Sequence, residues 1–235
     1  MSHPSRTTPV GSDARVPLLP LNRDLSRELV VLTHGLVSHR LIMFPLSRQL
    51  RRAGFQTALW GYRSTRHDVA THGQRFRAAL ENYQHREGLQ ALHIVAHSLG
   101  NIVTRQALLY DQPHRLGRIV MIGPPNQGSH VATRLSPWFG RVCRTLQEIS
   151  DLPSSFVNQM PDSLGQRAEI GLLIASGDWV VARENTTLPG IQQQLEIPGM
   201  HTGILFKSAT ARATVNFLVH GRFFDEKCPQ NDTSR

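Results

Sequence analysis

The stretch Leu92-His93-Ile94-Val95-Ala96-His97-Ser98-Leu99-Gly100-Asn101-Ile102-Val103 constrains this chain more than any other. An apolar, β-branched run, the composition of a buried strand, stops at a small–x–Ser–x–Gly pentapeptide, and a helix-like pattern begins at once. A strand that turns into a helix this abruptly leaves no room around the turn. The residues two before and two after it must be small, or they collide with the neighbouring strand and helix. Ala96 and Gly100 meet that demand, with Ala96 standing where glycine is commoner. Ser98, at the turn, is forced into strained backbone geometry, and the first amides of the following helix point at the space beside its hydroxyl. The pentapeptide alone is a weak signal, because serine and glycine are common. Its strand and helix make Ser98 a candidate nucleophile.

A second fragment lies upstream. Glu28-Leu29-Val30-Val31-Leu32 reads as a buried strand and exits into Thr33-His34-Gly35-Leu36, where the glycine permits a sharp turn. Three more fragments follow in order: Gly123-Pro124-Pro125-Asn126-Gln127-Gly128-Ser129 after a strand, the loop Ser176-Gly177-Asp178-Trp179-Val180-Val181, and Gly199-Met200-His201-Thr202. On these five fragments the chain resembles the bacterial lipase/esterase branch of the α/β-hydrolase superfamily, from about Leu29 to Phe224. The resemblance implies an oxyanion hole built from the amides of Leu36, after the His-Gly pair, and of Leu99. It also implies a catalytic triad in the chain order Ser, acid, His, which Ser98, Asp178 and His201 follow.

Serine is a poor nucleophile at its own pKa and needs a base within hydrogen-bond reach and an anion to orient that base. His114 and His130 sit in loops that come too early, and His220 ends the closing helix. His201 lies between the last expected strand and the last helix, where the triad histidine of the superfamily lies. Asp178 follows a strand ending Ile174-Ala175-Ser176, so its carboxylate emerges at the same sheet edge as Ser98. Glu184 competes for the acid role, since its longer side chain reaches the same imidazole if the loop folds back. Asp151 and Asp162 are weaker candidates. His34 and His97 read as structural hydrogen-bonding residues.

Strands are expected at 55–60, 92–96, 118–122, 170–175 and 195–197 besides the first, and helices at 43–53, 68–86, 98–110 and 211–220. Their alternation calls for right-handed crossovers and a mostly parallel α/β sheet, reduced to about six strands because nothing precedes Glu28 that resembles the two usual opening strands. Residues 127–167 break the rhythm as a short cap insertion. Within it Trp138, Val142, Leu146 and Ile149 fall at helical spacing, a helix packed on the sheet or an apolar wall for an acyl chain. The expected division is a flexible lead-in over 1–27, a hydrolase-like domain over 28–224 and a tail over 225–235.

With 235 residues, one domain holds a full core, and 40% hydrophobic content suits a soluble globular protein. The first apolar cluster, Val16 to Leu21, is short and broken by prolines, a poor signal peptide, and no run approaches a membrane span. Cys143 and Cys228 are too few for a disulfide framework, so free thiols and a cytoplasmic location are the expectation. The net charge of +9 is uneven: residues 1–120 carry 16 arginines against 7 acidic residues. Arg40, Arg48, Arg51 and Arg52 lie on or beside one expected helix, and Arg75, Arg77 and Arg86 on or beside the next. This is a solvated surface or a face for an anionic membrane; no nucleic acid is expected.

A phosphate-binding loop is missing, since Lys207-Ser208 follows Phe206 rather than glycine, and no His-Glu-x-x-His helix occurs. Neither cofactor nor metal is expected. The resemblance therefore implies a serine hydrolase cleaving carboxylic esters with lipid-like acyl groups. Acyl transfer or thioester cleavage by the same triad, and a non-enzymatic protein that binds membranes or a partner, are the alternatives. Oligomeric state is not legible.

Overall fold

Strands with no polar side are the feature that sets the architecture. The computed structural model describes residues 23–141, 143–191 and 193–223. Every residue of β1 (Glu28–Thr33), β3 (Ala91–His97) and β5 (Ile170–Ala175) is buried, as are the last five of β4 (Leu116–Ile122). Such strands need cover on both faces, which parallel sheets obtain from crossover helices. The more exposed strands β2 (Gln56–Trp60) and β6 (Gln193–Ile197) take the two edges. One six-stranded sheet results, all parallel, in the order β2-β1-β3-β4-β5-β6.

Alternation along β1 divides the core. Leu29 and Val31 point into a cluster with Val69, Phe76, Leu80, Ile102 and Val103. Val30 and Leu32 point the other way, into a cluster with Leu46, Leu50, Phe217 and Leu218. Helix α1 (Phe44–Arg52) carries Pro45 in its first turn, where no amide is missed. Helix α2 (Val69–Gln84) starts at Asp68, whose carboxylate accepts from Thr71 N at 2.8 Å. Helix α3 spans Leu99–Ala107, three residues short of the expected end, and α8 spans Ser208–His220, three residues longer at its start.

Between β4 and β5 the chain makes four short helices: α4 (His130–Phe139), α5 (Arg144–Glu148), α6 (Phe156–Gln159) and α7 (Leu164–Arg167). The single helical stripe expected from Trp138 to Ile149 is not formed. Helix α4 ends before Gly140, and α5 starts afresh at Arg144 and packs beside it. As a result Leu146 and Ile149 are buried while Trp138 is 81% exposed; Val142 lies outside the described residues. A turn glycine overrides a periodicity that continues past it.

Towards the N-terminal ends of the strands, Glu28 accepts from Arg23 and from His93 Nε2, the latter at 2.9 Å. Arg23 Nη1 and Arg118 Nη1 both donate to the last carbonyls of α8, Leu218 O and Val219 O, at 2.8–3.0 Å. These two arginines therefore hold the helix terminus rather than coat the surface. Cys143 is a buried free thiol; Cys228, the expected tail at 225–235 and residues 1–22 of the expected lead-in lie outside the described residues. Among the described residues, no helix is long and apolar enough to cross a membrane.

Candidate active site

The strand order reverses at β1: its connection runs to β2 on one side, and β3 then lies on the other. The crevice beyond the C-terminal ends of strands at such a point is where ligands of open α/β sheets bind. Both glycine-bearing fragments sit there, Gly35 after β1 and Ser98 after β3.

Ser98 has φ 51° and ψ −125°, and its amide donates to Ile122 O at 2.9 Å across the strand pair. Crowding around it is severe. A Cβ on Gly100 would lie 2.8 Å from His34 O, and one on Gly35 would lie 2.9 Å from Ser98 Cβ and 3.4 Å from its Oγ. The Asn101 side-chain amide donates to Ser98 O at 3.0 Å and Ile122 O at 3.3 Å, pinning the turn from below.

His201 Nε2 accepts from Ser98 Oγ at 2.9 Å, and its Nδ1–H donates to Asp178 Oδ2 at 2.7 Å. The other carboxylate oxygen accepts from Val180 N and Val181 N at 2.9 and 3.0 Å. Burial pushes the Asp178 carboxyl up, but the hydrogen bond and charge of His201 and the two amides outweigh it, leaving the group below its ordinary range. Ser176 N donates to Ile197 O and Gly177 N to Gly199 O, so the loops bearing Asp178 and His201 are zipped together as an extension of the β5–β6 pair. Glu184 sits exposed on a 3₁₀ turn over Arg183–Thr186 and is not brought to His201.

His34 and His97 are both buried and hydrogen-bonded. His34 Nδ1–H donates to Gly35 O at 2.9 Å, while its Nε2 accepts from Tyr62 N. His97 Nε2–H donates to His201 O at 3.1 Å, and burial pulls this imidazole down to about 3, so it stays neutral. Three contributors were given no role by the sequence: Asn101 and Gly123, which stand within the fragments that carry the resemblance, and Tyr62, whose hydroxyl donates to His34 O at 2.9 Å. At φ 52° a side chain on Gly123 would press on the His201 ring at 3.3 Å. A glycine directly after a core strand was the one available signal for it.

A parallel sheet carrying a serine at positive φ after its third strand, with an imidazole and a carboxylate in line from the last two loops, defines a serine hydrolase of the α/β-hydrolase fold. Residues 24–145, about half of the chain, match the family described as "Putative serine esterase (DUF676)", and the chain belongs to that family. No curated protein sequence matches it. Solved structures share the fold at low identity. Lipase B of Aspergillus fumigatus superposes with a TM-score of 0.65 at 15% identity over 82% of this chain and 52% of that one. Lipase BlEst2 of Bacillus licheniformis in propeptide form gives 0.62 at 16% identity over 79% and 48%, and in mature form 0.60 at 17% over 79% and 89%. The chain thus spans about half the length of the first two and most of the mature bacterial lipase.

Proposed function

We propose that the protein hydrolyses carboxylic esters with lipid-like acyl groups through Ser98, His201 and Asp178. The observation that carries this reading is the continuous hydrogen-bond line from Ser98 Oγ through His201 to Asp178, two bonds of 2.9 and 2.7 Å. Ser98 Oγ attacks the ester carbonyl as its proton passes to His201 Nε2. The oxyanion is met by the amides of Leu36 and Leu99. Leu36 follows a glycine pressed against Ser98, and Leu99 opens α3, so both are on the loop and helix end nearest the hydroxyl. His201 then protonates the departing alcohol, leaving an acyl-Ser98 ester. Water, deprotonated by the same imidazole, releases the acid and restores Ser98. Asp178 keeps Nδ1 protonated and Nε2 free, the tautomer both steps require.

A lipid-like substrate is supported by the rim of the site. Val37, Leu41, Phe44, Trp179, Met200 and Phe206 are all between 46% and 79% exposed, on segments that leave the C-terminal ends of β1, β5 and β6. Trp138 and Phe139 of the insertion are exposed too. Apolar side chains gathered beside a polar site suit an acyl chain, and with exposed Arg40, Arg48, Arg51 and Arg52 nearby in the chain they suit an anionic membrane surface. A fluorophosphonate probe tests the chemistry: it should label Ser98 and block hydrolysis of a short neutral ester, and Ser98→Ala should lose both while keeping its fold. Hydrolysis by that variant at the native rate would remove the assignment.

A further inference from the structure

Beside the oxyanion loop, Val37 to His39 and Tyr62 to Arg66 face each other across an open depression of about 680 Å³. These segments leave β1 and β2, so the depression opens at the same edge of the sheet as Ser98. Its walls carry Arg63, Arg66 and His39, with the hydroxyls of Ser38, Ser64 and Thr65 between them. No Asp or Glu lines it. Both arginines are exposed, and among the described residues neither guanidinium meets a carboxylate. The neighbouring acids are engaged elsewhere: Asp68 caps α2 through Thr71 N, and Glu148 accepts from Val69 N at 2.9 Å.

Packed side chains connect the wall of the depression to the site. Tyr62 stacks on His34 with ring centres 4.6 Å apart, and His34 precedes the glycine that abuts Ser98. On the other wall, Val37 holds φ 49°, a rare value for a β-branched residue, and its amide donates to Ser64 Oγ at 3.0 Å. Ser64 accepts that bond, so its own proton is left to donate.

We propose that this depression binds the anionic part of the substrate, so that the preferred ester carries a phosphate or carboxylate group within reach of its scissile carbonyl. The inference rests on the ester-hydrolase reading of Ser98. Two arginines that meet no carboxylate among the described residues, an imidazole and hydroxyl donors line one depression with no described acid between them, the donor set that charged oxygens take. The depression is open and roomier than a bare ion needs, which leaves space for the organic body of an ester that carries the anion.

Matched esters test this in the full chain. One pair is a monoacylglycerol and the lysophosphatidylglycerol of the same acyl chain, which places the anion on the alcohol side. The other is 4-nitrophenyl hexanoate and 4-nitrophenyl hydrogen adipate, which places it on the acyl side. The native protein should prefer the anionic member of at least one pair, and the pair identifies the source of the charge. Arg63→Ala with Arg66→Ala should lower kcat/KM for that ester about tenfold, mainly through KM, while the neutral ester changes less than about twofold; raising salt should erode the native preference alone. No preference in either pair, or equal losses on neutral and anionic esters, would overturn the proposal. Loss of neutral-ester hydrolysis in Ser98→Ala reports the hydrolase reading separately. If the native protein cleaves no ester, yet Ser98→Ala protein binds glycerol 3-phosphate only when Arg63 and Arg66 are present, the catalytic reading falls and the anion site stands.

Discussion

Holding a side-chain-bearing residue at φ 51° costs on the order of 1–3 kcal/mol, and Ser98 bears that cost because the hydroxyl must stand clear of both strand and helix. Glycine has no such penalty at this angle, although it loses more backbone freedom on folding. Ser98→Gly should therefore be inactive yet more stable than the native protein by about 1 kcal/mol in denaturant unfolding. A lower midpoint would show that the turn carries no strain. The acid offers a sharper test. An amide at position 178 favours the wrong imidazole tautomer, a change that lowers kcat by ~10⁴ in a serine-protease triad, so Asp178→Asn should fall by several orders of magnitude. Glu184→Gln, exposed and away from His201, should lose less than roughly tenfold in kcat/KM. Reversal of that order in folded proteins would move the role to Glu184. The meeting of Ser98, Asp178 and His201 at one end of the sheet was legible because Ser98 directly follows a strand, Asp178 sits three residues after one and His201 separates the last strand from the last helix. The Asn101 bond to Ile122 O and the His97 bond to His201 O were not, since those partners lie 21 and 104 residues away and no local pattern announces them.

Central strands proved the most legible elements, β5 matching its expected limits and β1 extending one residue further, because burial on both faces leaves an unbroken apolar run. Helix ends drifted by up to three residues at α3 and α8, where no local side-chain cap marks the drifted end. The insertion was the least legible part: its apolar residues keep helical spacing across a turn, and spacing alone does not say on which side of a break a residue packs. That break has a functional corollary. Trp138, at 81% exposure, contributes little to the core, so Trp138→Ala should leave stability within about 0.5 kcal/mol. If α4 contributes to an acyl-binding wall, the same variant should lose more kcat/KM on long-chain than on short-chain esters, since each buried methylene contributes ~0.8 kcal/mol. Uniform losses along a chain-length series would take α4 out of substrate binding.

Four of the five buried histidines among the described residues, His34, His72, His93 and His97, make the folded protein acid-sensitive as a body. Burial lowers each of them, His72 to about 4 and His97 to about 3. As pH falls below the ordinary histidine value near 6.5, the unfolded chain takes up protons that the folded one refuses, so stability drops between about pH 6.5 and 4. For His72 alone the shift corresponds to ~3 kcal/mol at the acid end of that window. Glu28, which burial raises but His93 and Arg23 lower further, and Asp178 both keep their charge in the fold. They add a second loss as the unfolded carboxyls protonate below about pH 4.5. The melting temperature should accordingly decline steadily from pH 7 to pH 4.5; a flat profile would mean that the buried imidazoles charge without unfolding.

The clasp that Arg23 and Arg118 make on Leu218 O and Val219 O brings positions 23 and 219 side by side, at the opposite edge of the sheet from Ser98. From residue 23 to residue 223 the described residues form in effect a nearly closed ring whose seam faces away from Ser98. A short splice from residue 223 back to residue 23, with the ring reopened at the exposed turn near Gly88, would yield a circular permutant that keeps every strand in its place and leaves the reactive face untouched. The seam is likewise the natural point for attaching a fused domain, because cargo added there hangs below the sheet and leaves the approach of substrate from above unobstructed.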